Sequence, residues 1–84
     1  FTYYVMSNVG RNIRFIREIK NLTQEGLAEL SGFSQRHISR FEKGQAPVGK
    51  KCLISLAKAL NVSQKTLLTF DPSSLLNNKK SNSK

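Results

Sequence analysis

The sequence predicts an all-α fold, a compact bundle of five short helices. From residue 8 to residue 70, apolar residues recur at steps of three and four, and no alternating strand pattern lasts. A helix-start signal also occurs three times. It consists of an apolar residue, then Ser or Thr, then Gln, and a second apolar residue follows three places after the Gln. The three copies are Leu22-Thr23-Gln24, Phe33-Ser34-Gln35 and Val62-Ser63-Gln64.

The start signal has a local physical meaning. The Ser or Thr hydroxyl caps free N–H groups of the first turn, and the flanking apolar pair packs as a hydrophobic staple. Helices are therefore expected to begin near residues 24, 35 and 64. A first helix is expected to end near Asn21, and a fourth to span roughly residues 49–60.

Two glycines mark helix ends. Gly32 and Gly44 follow the second and third helices, where a left-handed residue is common. The second and third helices then form a helix-turn-helix around Gly32. We expect residues 1–7 to be an N-terminal extension, 8–70 the helical domain, and 71–84 a basic tail without a fixed structure.

Composition limits the function. The 84 residues suit one domain, and 14 basic against 5 acidic side chains leave a net charge of +9. Such a charge favours a polyanionic partner, nucleic acid above all. No apolar run is long enough to cross a bilayer. A single Cys52 excludes an internal disulfide and indicates a reducing, cytoplasmic compartment.

The outer face of the third helix is basic. At 100° per residue, Ile38 and Phe41 point inward, which leaves basic and amide side chains on the opposite face. In a major groove, arginine pairs with guanine and glutamine with adenine. The predicted base-reading residues are Gln35, Arg36, Ser39 and Arg40.

Other polar residues are expected at DNA phosphates. Lys43, Lys50 and Lys51 surround the loop after the third helix, a suitable place to hold the phosphodiester backbone. His37 lies on the flank of the helix and is expected to reach a phosphate. With Cys52 it has no ligand spacing for a metal ion, so no metal is predicted.

Together these residues resemble the lambda-repressor-like, Cro/repressor-type (XRE family) helix-turn-helix domain of phage and bacterial regulators. The resemblance covers about residues 9–68, and one departure is Gly26, where the family often has an acidic residue. The residues that match the family are Ile13 through Arg17, Leu22-Thr23-Gln24, Leu27-Ala28, Gly32, Ser34-Gln35, Ile38-Ser39, Glu42-Lys43-Gly44, Leu56 through Leu60 and Val62-Ser63.

The resemblance implies a homodimer on palindromic double-stranded DNA, with the third helix in the major groove. It implies that Gln24 binds a phosphate and that Arg17 and Glu42 pair across the core. It also implies a dimer interface around the fifth helix, for which the expected residues are Val62, Leu67, Leu68 and Phe70. Leu75 and Leu76 are expected nearby or back on the first helix.

We therefore predict a sequence-specific DNA-binding transcriptional regulator, a homodimeric repressor that needs no cofactor. Four alternatives stay open. They are an antitoxin with a toxin partner, a controller of a restriction–modification operon, the DNA-binding domain of a longer protein, and a helical domain that binds only protein. An enzyme is not predicted, because the chain offers one histidine, few carboxylates and no phosphate-binding loop.

Overall fold

The computed structural model describes residues 2–70, with side chains from Val9 onward. Within that range the chain is helical and contains no strand. The predicted all-α architecture of five helices is confirmed. The helices are α1 (Thr2–Ile19), α2 (Gln24–Ser31), α3 (Gln35–Glu42), α4 (Lys50–Leu60) and α5 (Gln64–Thr69).

The three predicted helix starts are confirmed, each with the hydroxyl cap that the sequence indicates. In each, the hydroxyl accepts a hydrogen bond from the backbone N–H three residues on, which satisfies a first-turn donor. In each staple the apolar residue inside the helix is fully buried, and the one before the cap is half-buried. The capping bonds are Gly26 N–H to Thr23 Oγ1 at 2.9 Å, His37 N–H to Ser34 Oγ at 3.2 Å and Thr66 N–H to Ser63 Oγ at 3.1 Å.

The helix ends follow the glycine signals, and α1 ends close to the expected Asn21, while its start differs from the expectation. Gly32 and Gly44 have φ values of 84° and 73°, so both use the left-handed conformation that glycine accepts. α1 begins at Thr2, well before residue 8, since no glycine or proline interrupts that stretch. It ends at Ile19, because Asn21 adopts φ 59° and closes the helix.

All five helices contribute to one hydrophobic core. Its side chains come from the inward stripes of the helices, and they pack around α1, which contacts α3, α4 and α5. The buried apolar residues are Val9, Ile13, Ile16, Leu27, Ala28, Ile38, Phe41, Leu53, Leu56, Ala57, Leu60 and Leu67.

Two polar or small residues set how α1 meets its neighbours, and sequence reasoning did not single them out. The fully buried Asn12 donates from Nδ2 to the Leu67 carbonyl at 2.8 Å and so joins α1 to α5. Gly10 lies against the end of α3, where a Cβ would overlap the Phe41 carbonyl oxygen. Only glycine allows this approach of α1 to α3.

Candidate nucleic-acid interface

The outer face of α3 forms one side of an open groove of about 520 Å³. The start of α2 and the loop after α3 form its other side. The structure thus brings together all four predicted base-reading residues and two of the predicted phosphate residues. The groove is lined by Gln24, Gln35, Arg36, Ser39, Arg40, Lys43 and Gln45.

Packing holds this face of α3 outward. Ile38 is fully buried and Phe41 nearly so, and they anchor the opposite side of the helix in the core. Arg36 and Arg40 are exposed, one turn apart, so both guanidinium groups lie on the same side. No described residue forms a hydrogen bond or ion pair with either guanidinium group, which leaves their donors available to a ligand.

A buried ion pair lies beneath the groove and joins α1 to the end of α3. Arg17 Nε lies 2.7 Å from Glu42 Oε2, and Nη2 lies 3.2 Å from Oε1, a bidentate geometry. The side chains are only 10% and 3% exposed. Arg17 Nη1 also donates to the Leu22 carbonyl at 2.7 Å, just before α2. One arginine therefore connects α1, the start of α2 and the end of α3.

Gln24 belongs to this network, a contact that the sequence did not indicate. Its Nε2 donates to Glu42 Oε1 at 3.0 Å. Because a carboxylate only accepts hydrogen bonds, the amide nitrogen must face Glu42. One amide hydrogen is used in this contact, and the second remains for a ligand in the groove. Glu42 thus orients the side chain that was expected to meet a phosphate.

His37 lies apart from the groove. Its ring centroid is 6.0 Å from that of Phe33 and 5.6 Å from that of Phe41, so it packs on the aromatic side of α3. The two phenylalanine rings contact each other edge to face at 5.4 Å. His37 is exposed but does not line the groove, so its expected contact with a phosphate stays a prediction for a position outside the groove.

Lys50 and Lys51 occupy the first turn of α4 and are exposed. They do not line the groove. Gly49, the N-cap, gives this helix no side-chain cap, and its first turn has no acidic residue. Cations at a helix N-terminus are unfavourable by about 0.3–1 kcal/mol each. Free N–H groups beside two lysines form a surface that a bound anion would stabilise.

Gln45 is a groove residue that sequence reasoning missed. It follows Gly44 in the loop after α3, and its backbone N–H donates to the Arg40 carbonyl at 2.9 Å. This hydrogen bond folds the loop back along the helix. No periodic signal marks a loop residue, so only the turn geometry reveals its position beside Arg40 and Lys43.

The residues expected at a dimer interface occupy different depths. Leu67 is fully buried in the core of its own chain, so it cannot itself present surface to a second copy. The staple with Val62 draws it inward. Leu68 is 40% exposed, and Val62 and Phe70 are half-buried. Leu68 is thus the most accessible of the four.

Two further kinds of site were sought in the described part of the chain. No group of three or more His, Cys, Asp or Glu side chains there could hold a metal ion. None of its helices combines the length and the apolarity that crossing a membrane requires.

The fold and groove define a class of protein, a small helical domain that presents one exposed basic helix beside a glycine turn. A family model described as Helix-turn-helix matches residues 13–64. The match spans more than half of the sequence, and this chain belongs to the helix-turn-helix family.

Individual relatives agree with this assignment. The "Control protein C.SmaI" of Serratia marcescens is 46% identical over 61 residues, 73% of each chain. The crystal structure of the restriction-modification controller protein C.AhdI from Aeromonas hydrophila has a TM-score of 0.70 at 33% identity. That similarity covers 75% of this chain and 94% of the other.

A repressor is similar to the same degree. The P22 c2 repressor, solved in complex with a synthetic operator, has a TM-score of 0.68 at 32% identity, over 75% of this chain and 96% of that one. The predicted lambda-repressor-like fold is confirmed by these structures. The prediction of a transcriptional regulator agrees with relatives that are named as repressors and controller proteins.

Proposed function

We propose that this protein is a transcriptional regulator that binds palindromic double-stranded DNA as a homodimer, with α3 in the major groove. The groove beside α3 carries the proposal. It presents Arg36 and Arg40 on one exposed face, next to Gln35, and no described residue engages the two guanidinium groups. Arginine is the side chain best suited to guanine O6 and N7, and glutamine to adenine.

Phosphate contacts would flank the base-reading face on two sides. Gln24 lines the groove and has a second amide hydrogen that the bond to Glu42 does not use, and Lys43 lies at the end of α3. Lys50 and Lys51 add charge at the uncapped start of α4. Such contacts position a protein on the duplex without reading sequence. The net charge of +9 favours the same partner.

A homodimer has two-fold symmetry, which matches the symmetry of a palindromic DNA site. Leu68, with Val62 and Phe70 at its margins, is the proposed contact between copies, and the buried Leu67 supports it from beneath. In a two-fold dimer the two recognition helices would lie about 34 Å apart, which sets half-sites about 10 base pairs apart. Binding would take place in the cytoplasm of the cell that carries the operator.

A second candidate function is control of a restriction–modification operon. It is favoured by two similarities, to the control protein of Serratia marcescens and to the controller protein of Aeromonas hydrophila. The DNA-binding chemistry would be the same, and the regulated genes would differ. A methylase or endonuclease gene whose promoter carries the bound sequence would select this function over a general repressor.

Selection of bound sequences from random duplex DNA tests the proposal. We expect a palindrome whose half-sites repeat at about 10 base pairs. A matched selection with the double variant Arg36→Ala/Arg40→Ala should lose the enriched bases while the protein stays folded. Recovery of no common sequence by the unaltered protein would contradict sequence-specific binding, and recovery of a single unrepeated half-site would contradict the dimer.

A further inference from the structure

Apolar side chains of α1 lie beside Phe70, the last residue that the structure describes. We call Phe15, Ile19 and Phe70 the α1 strip. The rings of Phe15 and Phe70 are 5.9 Å apart, and both are half-buried. Ile19 lies one helical turn beyond Phe15 on the same face and is 52% exposed. The strip is therefore packed at one end and open at the other.

Two contacts show in which direction the segment from Leu67 to Phe70 runs along α1. Asn12 meets Leu67, and Phe15 meets Phe70. A step of three residues along α1, from Asn12 to Phe15, thus matches a step of three residues from Leu67 to Phe70. The two segments advance in the same sense, so the described chain runs from Leu67 to Phe70 towards the Ile19 end of α1.

The backbone at Phe70 and the reach of the chain allow the following residues to arrive at Ile19. Phe70 has φ −57° and ψ 133°, an extended conformation that ends α5. Ile19 lies about 6 Å beyond Phe15 along the helix axis. Five residues of extended chain span up to about 17 Å, so Leu75 can reach Ile19 with length to spare.

The sequence after Phe70 contains one suitable apolar segment. From residue 71 onward, Leu75 and Leu76 are the only hydrophobic side chains, and the rest are polar or charged apart from Pro72. We propose that Leu75 and Leu76 cover the α1 strip of the same chain and bury Ile19. The dimer contact proposed at Leu68 adjoins this strip at Phe70 and does not include Phe15 or Ile19.

A double-mutant cycle in the full chain tests the proposal by equilibrium unfolding in urea. Ile19→Ser should lower the folded-to-unfolded ratio about tenfold, the scale expected when a half-exposed isoleucine loses its apolar cover. In the Leu75→Ser/Leu76→Ser background the same change should lower the ratio less than about twofold. The matched control is Ile54→Ser, since Ile54 is 41% exposed on α4, and its effect should be the same in both backgrounds.

Protein concentration separates the own-chain contact from a second copy. The coupling between Ile19 and the two leucines should not change over a hundredfold range of concentration. Isotope-filtered NMR should show contacts between the Ile19 and Leu75 or Leu76 methyl groups within one labelled chain. Equal effects of Ile19→Ser in both backgrounds would overturn the proposal, as would a coupling that increases with concentration.

Discussion

The buried Arg17 and the exposed Arg36 and Arg40 show how burial decides the role of an arginine in this protein. Arg17 is nearly buried and gives its donors to Glu42 and the Leu22 carbonyl. Arg36 and Arg40 are exposed, and no described residue pairs with them. A buried charge requires a partner inside the protein, whereas an exposed one keeps its donors for a ligand. Arg17 therefore stabilises the groove, and Arg36 and Arg40 give the groove a surface for binding.

The buried pair should show the largest effect. Glu42→Ala should lower the free energy of unfolding by about 3 kcal/mol, because the Arg17 guanidinium would be left buried without its carboxylate. Gln24 would lose its partner as well. Urea denaturation measures the loss, and the double variant Arg17→Met/Glu42→Leu should cost much less.

An exposed ion pair provides the control for this change. Glu18 pairs with Arg14 at 3.4 Å, lies at the longer distance of 3.9 Å from Arg17 Nη2, and has a side chain that is 53% exposed. Glu18→Ala should therefore cost under about 0.5 kcal/mol. If Glu42→Ala and Glu18→Ala proved equally mild, burial would not distinguish the two classes of charge.

The contact of α1 with α3 should be the next most sensitive position. Gly10→Ala should destabilise the protein by about 2–3 kcal/mol, because a Cβ there overlaps the Phe41 carbonyl and pushes α1 away. Gly26→Ala is the matched control, since a Cβ there lies 3.3 Å from the Thr23 hydroxyl oxygen. It should change stability by less than about 1 kcal/mol. A stable Gly10→Ala protein would show that the helices can separate at little cost.

The exposed arginines should affect binding and not folding. Arg36→Ala or Arg40→Ala should each weaken binding to the selected site by about 1–3 kcal/mol and relax preference at one base position per half-site. Lys58→Ala removes one exposed positive charge on α4, outside the groove, and serves as the control. Affinities for the site and its single-base variants measure the preference. Uniform losses with unchanged preference would show that α3 does not read bases.

The smallest effects are expected at the start of α4, and they should have opposite signs for folding and binding. Lys50→Gln and Lys51→Gln should each raise the free energy of unfolding by about 0.3 kcal/mol, because a cation leaves the positive end of the helix dipole. Each should also make the slope of log K against log salt concentration shallower, by about 0.9 for every phosphate that the variant no longer neutralises. Thermal unfolding and titrations across a salt series measure both. An unchanged salt slope would place these lysines away from the phosphates.

The sequence alone determined the elements of this protein that depend on near neighbours. Thr23, Ser34 and Ser63 mark helix starts because a cap bonds to an N–H three residues away. Gly32 marks the turn through its own backbone angle. The outward face of α3 follows from helical periodicity, once Ile38 and Phe41 are taken as core.

The tertiary structure decided what depends on distant segments meeting. Gln24 joins Glu42 across 18 residues, and Gln45 enters the groove because its loop folds back along α3. Leu67 is in the core, and not at the surface, since α5 packs against α1 through Asn12. Gly10 gives no sequence signal, because a glycine is required at this position only when the end of α3 packs against it. Caps and turns are short-range and can be read locally, whereas these contacts are set by how whole helices pack.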